Sequence, residues 1–187
     1  MSRGRPLLHV VAPAEAAAAD ADAAPALLDA GVLFSRYSRY VAAIAYRLLG
    51  RDDEVDDTVQ EVFLAAVRGL DSVKNPEAIK GWLAAITVRT ARKRLKRRRL
   101  RAMLRIDPDP DYDTVVDASA SPEQRALLAR VYELLDAMPT DLRIAWVLRH
   151  VQGERLEDVA ELSGCSLATA KRRIAAAQRQ LEEAFDV

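Results

Sequence analysis

The chain has 187 residues, half of them hydrophobic, and carries 28 basic and 28 acidic side chains. This length allows one domain or two small ones, and a composition rich in Ala, Leu, Arg and Glu favours an all-α protein. The single cysteine, Cys165, excludes an internal disulfide and a cysteine-rich metal site, and we expect it to be a small buried filler. No apolar run approaches the roughly 20 residues of a membrane span, so we predict a cytoplasmic protein without membrane insertion.

The zero net charge hides a segregated pattern. Residues 71–105 carry twelve Lys or Arg against two Asp or Glu, whereas residues 106–124 carry six acidic residues and no basic one. The local charge, rather than the net charge, therefore informs about partners. Residues 1–26, rich in Ala, Asp and Pro, are predicted to be a disordered tail. The acidic, proline-containing residues 106–121 are predicted to be a flexible linker between two small helical domains.

Helical periodicity predicts the first domain at residues 27–105, with three helices. Gly50 suits the end of the first helix because glycine readily adopts the left-handed conformation found there. The second helix has acidic residues in its first turn and a predicted buried stripe of Val55, Val59, Val62, Phe63, Ala66 and Val67. The third begins near Pro76 and collects its basic residues in its C-terminal half, with a predicted core face of Ile79, Leu83, Ile86, Ala91 and Leu95.

The second domain is predicted at residues 122–187 and ends in a helix-turn-helix. Ser121, Pro122 and Gln124 suit the N-cap, N1 and N3 positions of its first helix, as in a capping box. The apolar face of that helix includes Leu127 and Leu128, and Gly153 is predicted to end the next helix. A short amphipathic helix, a turn containing Gly164 and a helix capped by Ser166 then follow. The first two turns of that last helix, where a recognition helix contacts DNA, carry Thr169, Lys171, Arg172 and Arg173.

Three features have both a structural and a functional interpretation. The run from Arg92 to Arg99 is either a solvated helix face or a phosphate-binding surface that relieves its own charge repulsion on binding. Trp82 is either a core residue or a stacking platform beside the basic surface. The acidic residues from Asp56 to Glu61 are either a solvated face or a docking surface for a basic partner, and sequence physics alone does not separate these alternatives.

Chemical motifs for catalysis or metal binding do not emerge. The acidic stretches at residues 52–61 and 107–113 lack the glycine and the final glutamate of a calcium-binding loop. We find no Gly-rich phosphate loop, nucleophile elbow or His-based zinc motif. We therefore expect no enzymatic activity, no metal and no cofactor.

Several short segments, taken in order, resemble the bacterial RNA polymerase sigma factors of the compact, two-domain extracytoplasmic-function (ECF) type. The resemblance covers roughly residues 30–105 and 122–186. Residues 56–64 resemble the family's "DLVQE.FL" segment, and residues 81–86 resemble "WL..IA" followed by a basic helix. The further matches are Met138-Pro139 to "LP", Val147-Leu148-Arg149 to "LLR", Val159-Ala160-Glu161 to "IAE", and residues 166–173 to "S.GTVKSR".

The resemblance implies a sigma factor that directs promoter recognition, promoter opening and transcription initiation, with core RNA polymerase, promoter DNA and an anti-sigma factor as partners. The implied polymerase-binding residues are Asp56, Asp57, Gln60 and Glu61. The implied −10 element residues are Lys74, Asn75, Lys80, Trp82, Arg89, Arg92, Lys93, Lys96 and Arg97. The implied −35 element residues are Arg149, Ser166, Thr169, Lys171, Arg172 and Arg173.

The chain also departs from the family pattern. Arg155 stands where a Ser or Thr often caps the first helix of the helix-turn-helix, and Ala175, Ala176 and Gln178 stand where basic residues are common, which weakens the expected phosphate contacts. Promoter preference therefore does not transfer. A stand-alone helix-turn-helix regulator and a partner-binding scaffold remain alternatives, although a simple regulator needs no acidic docking helix before Trp82.

Overall fold

The computed structural model describes residues 29–70, 73, 75–104 and 121–185. Within these residues the chain forms seven α-helices and one 3-10 turn, without a strand, which confirms the all-α prediction. The elements are α1 (Ala30–Leu49), α2 (Val55–Gly69), the 3-10 turn (Pro76–Ala78), α3 (Ile79–Met103), α4 (Pro122–Ala137), α5 (Thr140–His150), α6 (Leu156–Ser163) and α7 (Leu167–Phe185).

Helices α1, α2 and α3 pack together as the first group. Gly50 ends α1 with φ at 66°, in the predicted left-handed conformation, and its N–H donates to the Tyr46 carbonyl. The predicted core positions of α3 are all buried. Val67 is an exception to the predicted stripe of α2, since it is 48% exposed. It follows Ala66 by about 100° around the helix, which turns it out of the buried stripe.

Helices α4 to α7 form the second group. Ser121 and Gln124 make the predicted capping box at the start of α4, with Pro122 in the first turn. The predicted apolar face of α4 is only partly covered, because Leu127 is 44% exposed whereas Val131 is buried. Gly153 has a φ of 80°, but α5 ends earlier, at His150. Cys165 is partly buried rather than a fully buried filler.

The two groups pack against each other and share one hydrophobic core. Helices α1 and α3 contact α5, and α3 also contacts α6. The buried residues of both groups form a continuous cluster that includes Leu48 and Leu49 at the end of α1 and Leu148 in α5. Tyr132 on α4 donates its hydroxyl to the Arg47 carbonyl at 2.8 Å. The sequence predicted two groups of helices but gave no indication that they would lie this close.

Candidate nucleic-acid and partner interface

The acidic stretch of α2 faces away from the core. Val55, Thr58, Val59 and Val62 turn inward and are buried, which leaves Asp56, Asp57 and Gln60 exposed on the other side of the helix. The two aspartates lie in the first turn, where the helix dipole favours negative charge. Among the described residues, none forms an ion pair with either aspartate. These three side chains are therefore free to contact a partner.

Glu61, the fourth predicted docking residue, is partly engaged. Its carboxylate lies 3.1 Å from Arg94 Nη2 and 3.5 Å from Lys93 Nζ, both on α3. A groove of about 360 Å³ adjoins it between α2 and α3. The lining residues are Glu61, Leu64, Ala65, Arg68, Ile86, Arg89, Thr90 and Lys93. The structure thus places two predicted −10 element residues, Arg89 and Lys93, beside the predicted polymerase-docking face.

The outer face of α3 carries exposed basic side chains. Arg89, Lys96 and Arg97 are exposed, and no ion pair holds them within the part of the chain that the structure describes. Lys80, at the start of α3, is also exposed and lies 5.0 Å from the centre of the Tyr40 ring, in a cation–π contact. These ammonium and guanidinium groups are therefore accessible to solvent.

The inner face of α3 carries arginines that contact the second group of helices. Arg92 lies with Nε 3.2 Å from Asp141 Oδ1, and its Nη2 donates to the Ser163 carbonyl at 2.8 Å. Arg98 donates to Asp136 Oδ1 at 2.6 Å and to the Leu49 carbonyl at 3.1 Å. Arg92 is a predicted −10 element residue. In this conformation its guanidinium instead contacts Asp141 and the Ser163 carbonyl.

The remaining −10 element candidates are Asn75, at the start of the 3-10 turn, Trp82, in the first turn of α3, and Lys74. Asn75 accepts a hydrogen bond from the Glu77 N–H and so caps the 3-10 turn. Trp82 is partly buried and packs against the core. A Cβ at Gly69 would lie 3.1 Å from its ring, so the indole lies directly against the end of α2. Lys74 lies outside the described residues.

The helix-turn-helix of α6 and α7 forms as predicted. Gly164 ends α6 in the left-handed conformation, and Ser166 Oγ accepts from the Thr169 N–H at 3.2 Å. Arg155 makes no side-chain cap at the start of α6, in line with the departure noted in the sequence. Lys171 and Arg172 are exposed on the first turns of α7. Their positions suit contacts in a DNA groove.

Two further −35 element candidates are engaged within the chain. Arg173 donates to Asp141 Oδ2 at 3.1 Å and is partly buried. Arg149 is exposed at the end of α5 and donates to the Glu154 carbonyl at 2.9 Å. Asp141 therefore holds one predicted −35 arginine and one predicted −10 arginine at the same time.

Sequence reasoning missed a buried arginine at the centre of the contact between the groups. Arg143 is 1% exposed, donates to the carbonyls of Leu48 and Leu49 at 3.0 and 2.8 Å, and forms an ion pair with Asp136. Burial lowers the pKa of this guanidinium to about 10, so it is still charged at neutral pH. The carbonyls are the last acceptors of α1, where a positive charge is favoured. The one hint in the sequence is a lone arginine in the otherwise apolar stretch at 142–148.

Neither a metal site nor a membrane span is found in the described part of the chain. No group of three or more His, Cys, Asp or Glu side chains there is placed to bind a metal ion. No helix among residues 29–70, 75–104 and 121–185 is long and apolar enough to cross a bilayer.

Comparison with known proteins identifies both groups of helices. Residues 33–101 match the family model of sigma-70 region 2, and residues 128–181 match that of sigma-70 region 4. The chain is 32% identical over 160 residues to the ECF RNA polymerase sigma-E factor of Haemophilus influenzae, covering 81% of this chain and 84% of that protein. It is 30% identical over 165 residues to the ECF RNA polymerase sigma-E factor of Escherichia coli K12, covering 81% and 83%.

Solved structures show the same fold. The sigma factor RpoE of Bartonella quintana, in complex with the anti-sigma factor NepR, aligns with a TM-score of 0.62 at 22% identity, covering 82% of this chain and 94% of that one. CnrH, in complex with the cytosolic domain of CnrY, aligns with a TM-score of 0.56 at 25% identity, covering 84% and 87%. Because both sigma-70 regions and relatives of nearly full length match, the chain belongs to the ECF family of RNA polymerase sigma factors.

Proposed function

We propose that this sigma factor binds core RNA polymerase through the acidic face of α2. This assignment depends on the exposure of Asp56, Asp57 and Gln60, which lie on the side of α2 opposite to its buried residues. An acidic face free of internal ion pairs keeps its charge for a basic partner surface. Glu61 lies at the edge of the same face and links it to α3.

We assign promoter opening at the −10 element to the turn before α3 and to the outer face of α3. The assigned residues are Lys74 and Asn75, which precede α3 in the sequence, and Lys80, Trp82, Arg89, Arg92, Lys93, Lys96 and Arg97 on α3. Extruding a base from the duplex costs a few kcal/mol, which contacts to phosphates and stacking on an aromatic ring offset. The exposed Arg89, Lys96 and Arg97 support the phosphate contacts, and the incomplete burial of Trp82 supports a stacking role.

We assign recognition of the −35 element to α7. Ser166, Thr169, Lys171, Arg172 and Arg173 lie on its first turns, and Arg149 lies nearby at the end of α5. The exposure of Lys171 and Arg172 supports contacts to phosphates and base edges.

The remaining assignments follow from this role. We assign the region 2 domain to residues 27–105 and the region 4 domain to residues 122–187. The proposed tail (1–26) and the proposed linker (106–121), which would lie in a polymerase channel, fall outside the described residues except for Ser121. The protein would act in the cytoplasm, without catalysis or a cofactor of its own. An anti-sigma factor is proposed as a regulator, supported by the complex of RpoE with the anti-sigma factor NepR.

Charge reversal tests the polymerase surface. In the Asp56→Lys, Asp57→Lys variant we expect affinity for core RNA polymerase to fall at least about tenfold. The matched control reverses two exposed acids of α4, Glu123→Lys and Glu133→Lys, and should bind as the parent does. Equal affinity of the two variants would remove the α2 assignment.

Transcription in vitro tests the promoter surfaces. The holoenzyme should initiate at a cognate promoter drawn from a library, and Lys171→Ala with Arg172→Ala should reduce output from it. Arg179→Ala, an exposed change further along α7, serves as the control. Undiminished output from the double variant would contradict the −35 role. Tight, sequence-specific duplex binding by the free protein without polymerase would instead support a stand-alone regulator.

A further inference from the structure

We propose that Gln178 is a positioning residue of α7, which fixes the angle of this helix about its own axis through a hydrogen bond to Trp146 on α5. The inference deepens the proposed function, and it rests on the assignment of the −35 element to α7. In the sequence, Gln178 is notable only as an uncharged residue where basic ones are common in the family. In the structure its side chain is partly buried and contacts other parts of the chain.

The hydrogen bond joins two side chains that are shielded from solvent. Trp146 is 2% exposed, and its Nε1 donates to Gln178 Oε1 at 2.8 Å. An indole nitrogen only donates, so the Gln178 amide must present its oxygen and is held in one orientation. The Nε2 of the same amide donates to Glu182 Oε1 at 2.9 Å, one turn further along α7. Because a buried indole N–H without an acceptor is unfavourable, other angles of α7 are disfavoured.

A second polar contact holds the opposite edge of α7. The buried residues of this helix are Ala170, Ala177 and Leu181. At about 100° per residue, Gln178 lies about 80° to one side of Ala170 and Arg173 about 60° to the other. Arg173 Nη2 donates to Oδ2 of Asp141, which also belongs to α5, at 3.1 Å. Helix α7 is therefore fastened to α5 on both sides of its buried stripe.

Apolar packing alone defines the angle of α7 weakly. Two of its three buried residues are alanines, and a single methyl group gives the helix surface little relief for a neighbouring helix to engage. Hydrogen bonds, by contrast, are directional and weaken steeply when donor and acceptor are misaligned. The contact between Trp146 and Gln178 therefore adds the orientation that the alanines do not supply.

The angle of α7 matters for reading bases. Lys171 and Arg172 are exposed on its first turns. At a radius of about 5–6 Å, a rotation of about 20° moves a side chain by about 2 Å. Such a shift breaks a hydrogen bond to a base edge, whereas the attraction between a cation and a phosphate survives it. The bond to Trp146 thus supports discrimination between DNA sequences more than overall affinity for DNA.

Indole resonances of the free protein report the bond directly. Trp82 and Trp146 are the only tryptophans, so ¹⁵N-labelled protein gives two indole N–H signals, and Trp146→Phe assigns them. In Gln178→Leu, which lacks an acceptor, the Trp146 signal should move upfield and exchange faster with solvent. In Gln178→Glu a carboxylate oxygen accepts the bond, and the signal should stay near its parent position. Gln180→Leu and Gln180→Glu, at an exposed position of α7, are the matched controls.

Discrimination between promoters is the functional readout. The affinity of the holoenzyme is measured for a fluorescein-labelled cognate promoter duplex and for the same duplex with a scrambled −35 element. The ratio of the two affinities cancels a general loss of folded protein. Relative to Gln180→Leu, Gln178→Leu should lower this ratio about fivefold, because one lost hydrogen bond changes the population of the competent orientation by about that factor.

Two further variants separate positioning from a merely structural role. Gln178→Glu should restore the ratio to the level of Gln180→Glu. Trp146→Phe combined with Gln178→Leu should lower the ratio no more than either change alone, since both remove the same bond.

Three results would overturn the inference. These are an unmoved Trp146 signal in Gln178→Leu, a ratio as high in Gln178→Leu as in Gln180→Leu, and a ratio in Gln178→Glu that stays as low as in Gln178→Leu. Lys171→Ala with Arg172→Ala, measured on the same duplexes, tests the proposed function separately. An unchanged ratio in that variant contradicts the −35 role of α7, whereas an unchanged ratio in Gln178→Leu alone contradicts only the role of Gln178.

Discussion

Helices α2 and α3 belong to the same group of helices and carry opposite charges. They differ in how much of the charged surface of each is exposed to solvent. The acidic face of α2 is open, with Asp56, Asp57 and Gln60 exposed. The basic surface of α3 is divided, because Arg92 and Arg98 turn toward α5 and α4 while Arg97 faces solvent. A dense charge run in the sequence is therefore not one surface. Its function depends on which neighbours the rest of the chain brings to it.

The difference extends to the arginines of α3 and α7. Asp56, Asp57 and Gln60 on α2 are exposed, whereas Arg92 on α3 and Arg173 on α7 both pair with Asp141. Changes that weaken the packing over α3 and leave α2 unaltered therefore test the difference most directly.

The largest effect is expected from Arg143→Met. This change removes the hydrogen bonds to Leu48 and Leu49 and half of the ion pair network around Asp136. Breaking a buried ion pair by removing one partner costs about 3 to 5 kcal/mol, and urea unfolding should show a loss of this size. Arg130→Met, at an exposed surface pair, should change the stability by no more than about 0.5 kcal/mol.

The two tryptophans show where that loss falls. Trp82 lies in α3 and Trp146 in α5, so single-tryptophan variants report on the two groups separately. In the parent we expect coincident unfolding curves, because both groups share one core. In Arg143→Met the two curves should separate. Curves that differ already in the parent would show that the two groups do not unfold as one unit.

A smaller, pH-dependent effect is expected at Tyr132, which touches the first group from α4. Burial, the dominant cause, raises the pKa of its phenol from 10.0 to about 12. The stabilising contribution of the neutral phenol is therefore complete below pH 10 and is lost as the pH rises through 12. A rise of the pKa from 10.0 to about 12 corresponds to about 3 kcal/mol in the free energy of unfolding. Tyr132→Phe should lose less stability between pH 10 and 12 than the parent, as measured by urea unfolding at several pH values.

The same tyrosine contacts Gly50, and two glycines allow this contact to be isolated. Gly50 and Gly164 have φ values of 66° and 61°, so alanine costs each about 1 to 2 kcal/mol of backbone strain. A Cβ at Gly50 would also overlap the Tyr132 ring, whereas nothing lies within 4 Å at Gly164. Gly50→Ala should therefore destabilise by at least about 1 kcal/mol more than Gly164→Ala. Equal losses would mean that α4 does not press on the end of α1.

Local structure was accessible from the sequence because it depends on neighbouring residues. The left-handed end of α1 at Gly50, the capping box at Ser121 and the turn at Gly164 each follow from a few adjacent side chains. The same holds for the burial of Leu83 and Leu95 on α3, which follows from helical periodicity. The family resemblance then supplied the function.

Contacts between distant residues were not accessible in this way. Nothing in the local pattern of Asp141 indicates that it lies between α3 and α7, since Arg92 is 49 positions away along the chain. The same holds for Arg98 in the basic run, whose partner Asp136 is 38 positions away along the chain. The predicted burial of Val67 was wrong. This residue lies at the edge of the buried stripe, where helical periodicity separates buried from exposed positions least clearly.

The smallest effect is expected on α2, where Asp57 and Glu61 lie on the same face but differ in their contacts. Asp57 is exposed and unpaired among the described residues, so Asp57→Asn should leave the free energy of unfolding within about 0.5 kcal/mol of the parent. Glu61→Gln weakens the contacts to Lys93 and Arg94 and should cost somewhat more, up to about 1 kcal/mol. Both should weaken polymerase binding. If Glu61→Gln alone did so, the residue would act by positioning α3, and the exposed face of α2 would not be the docking surface.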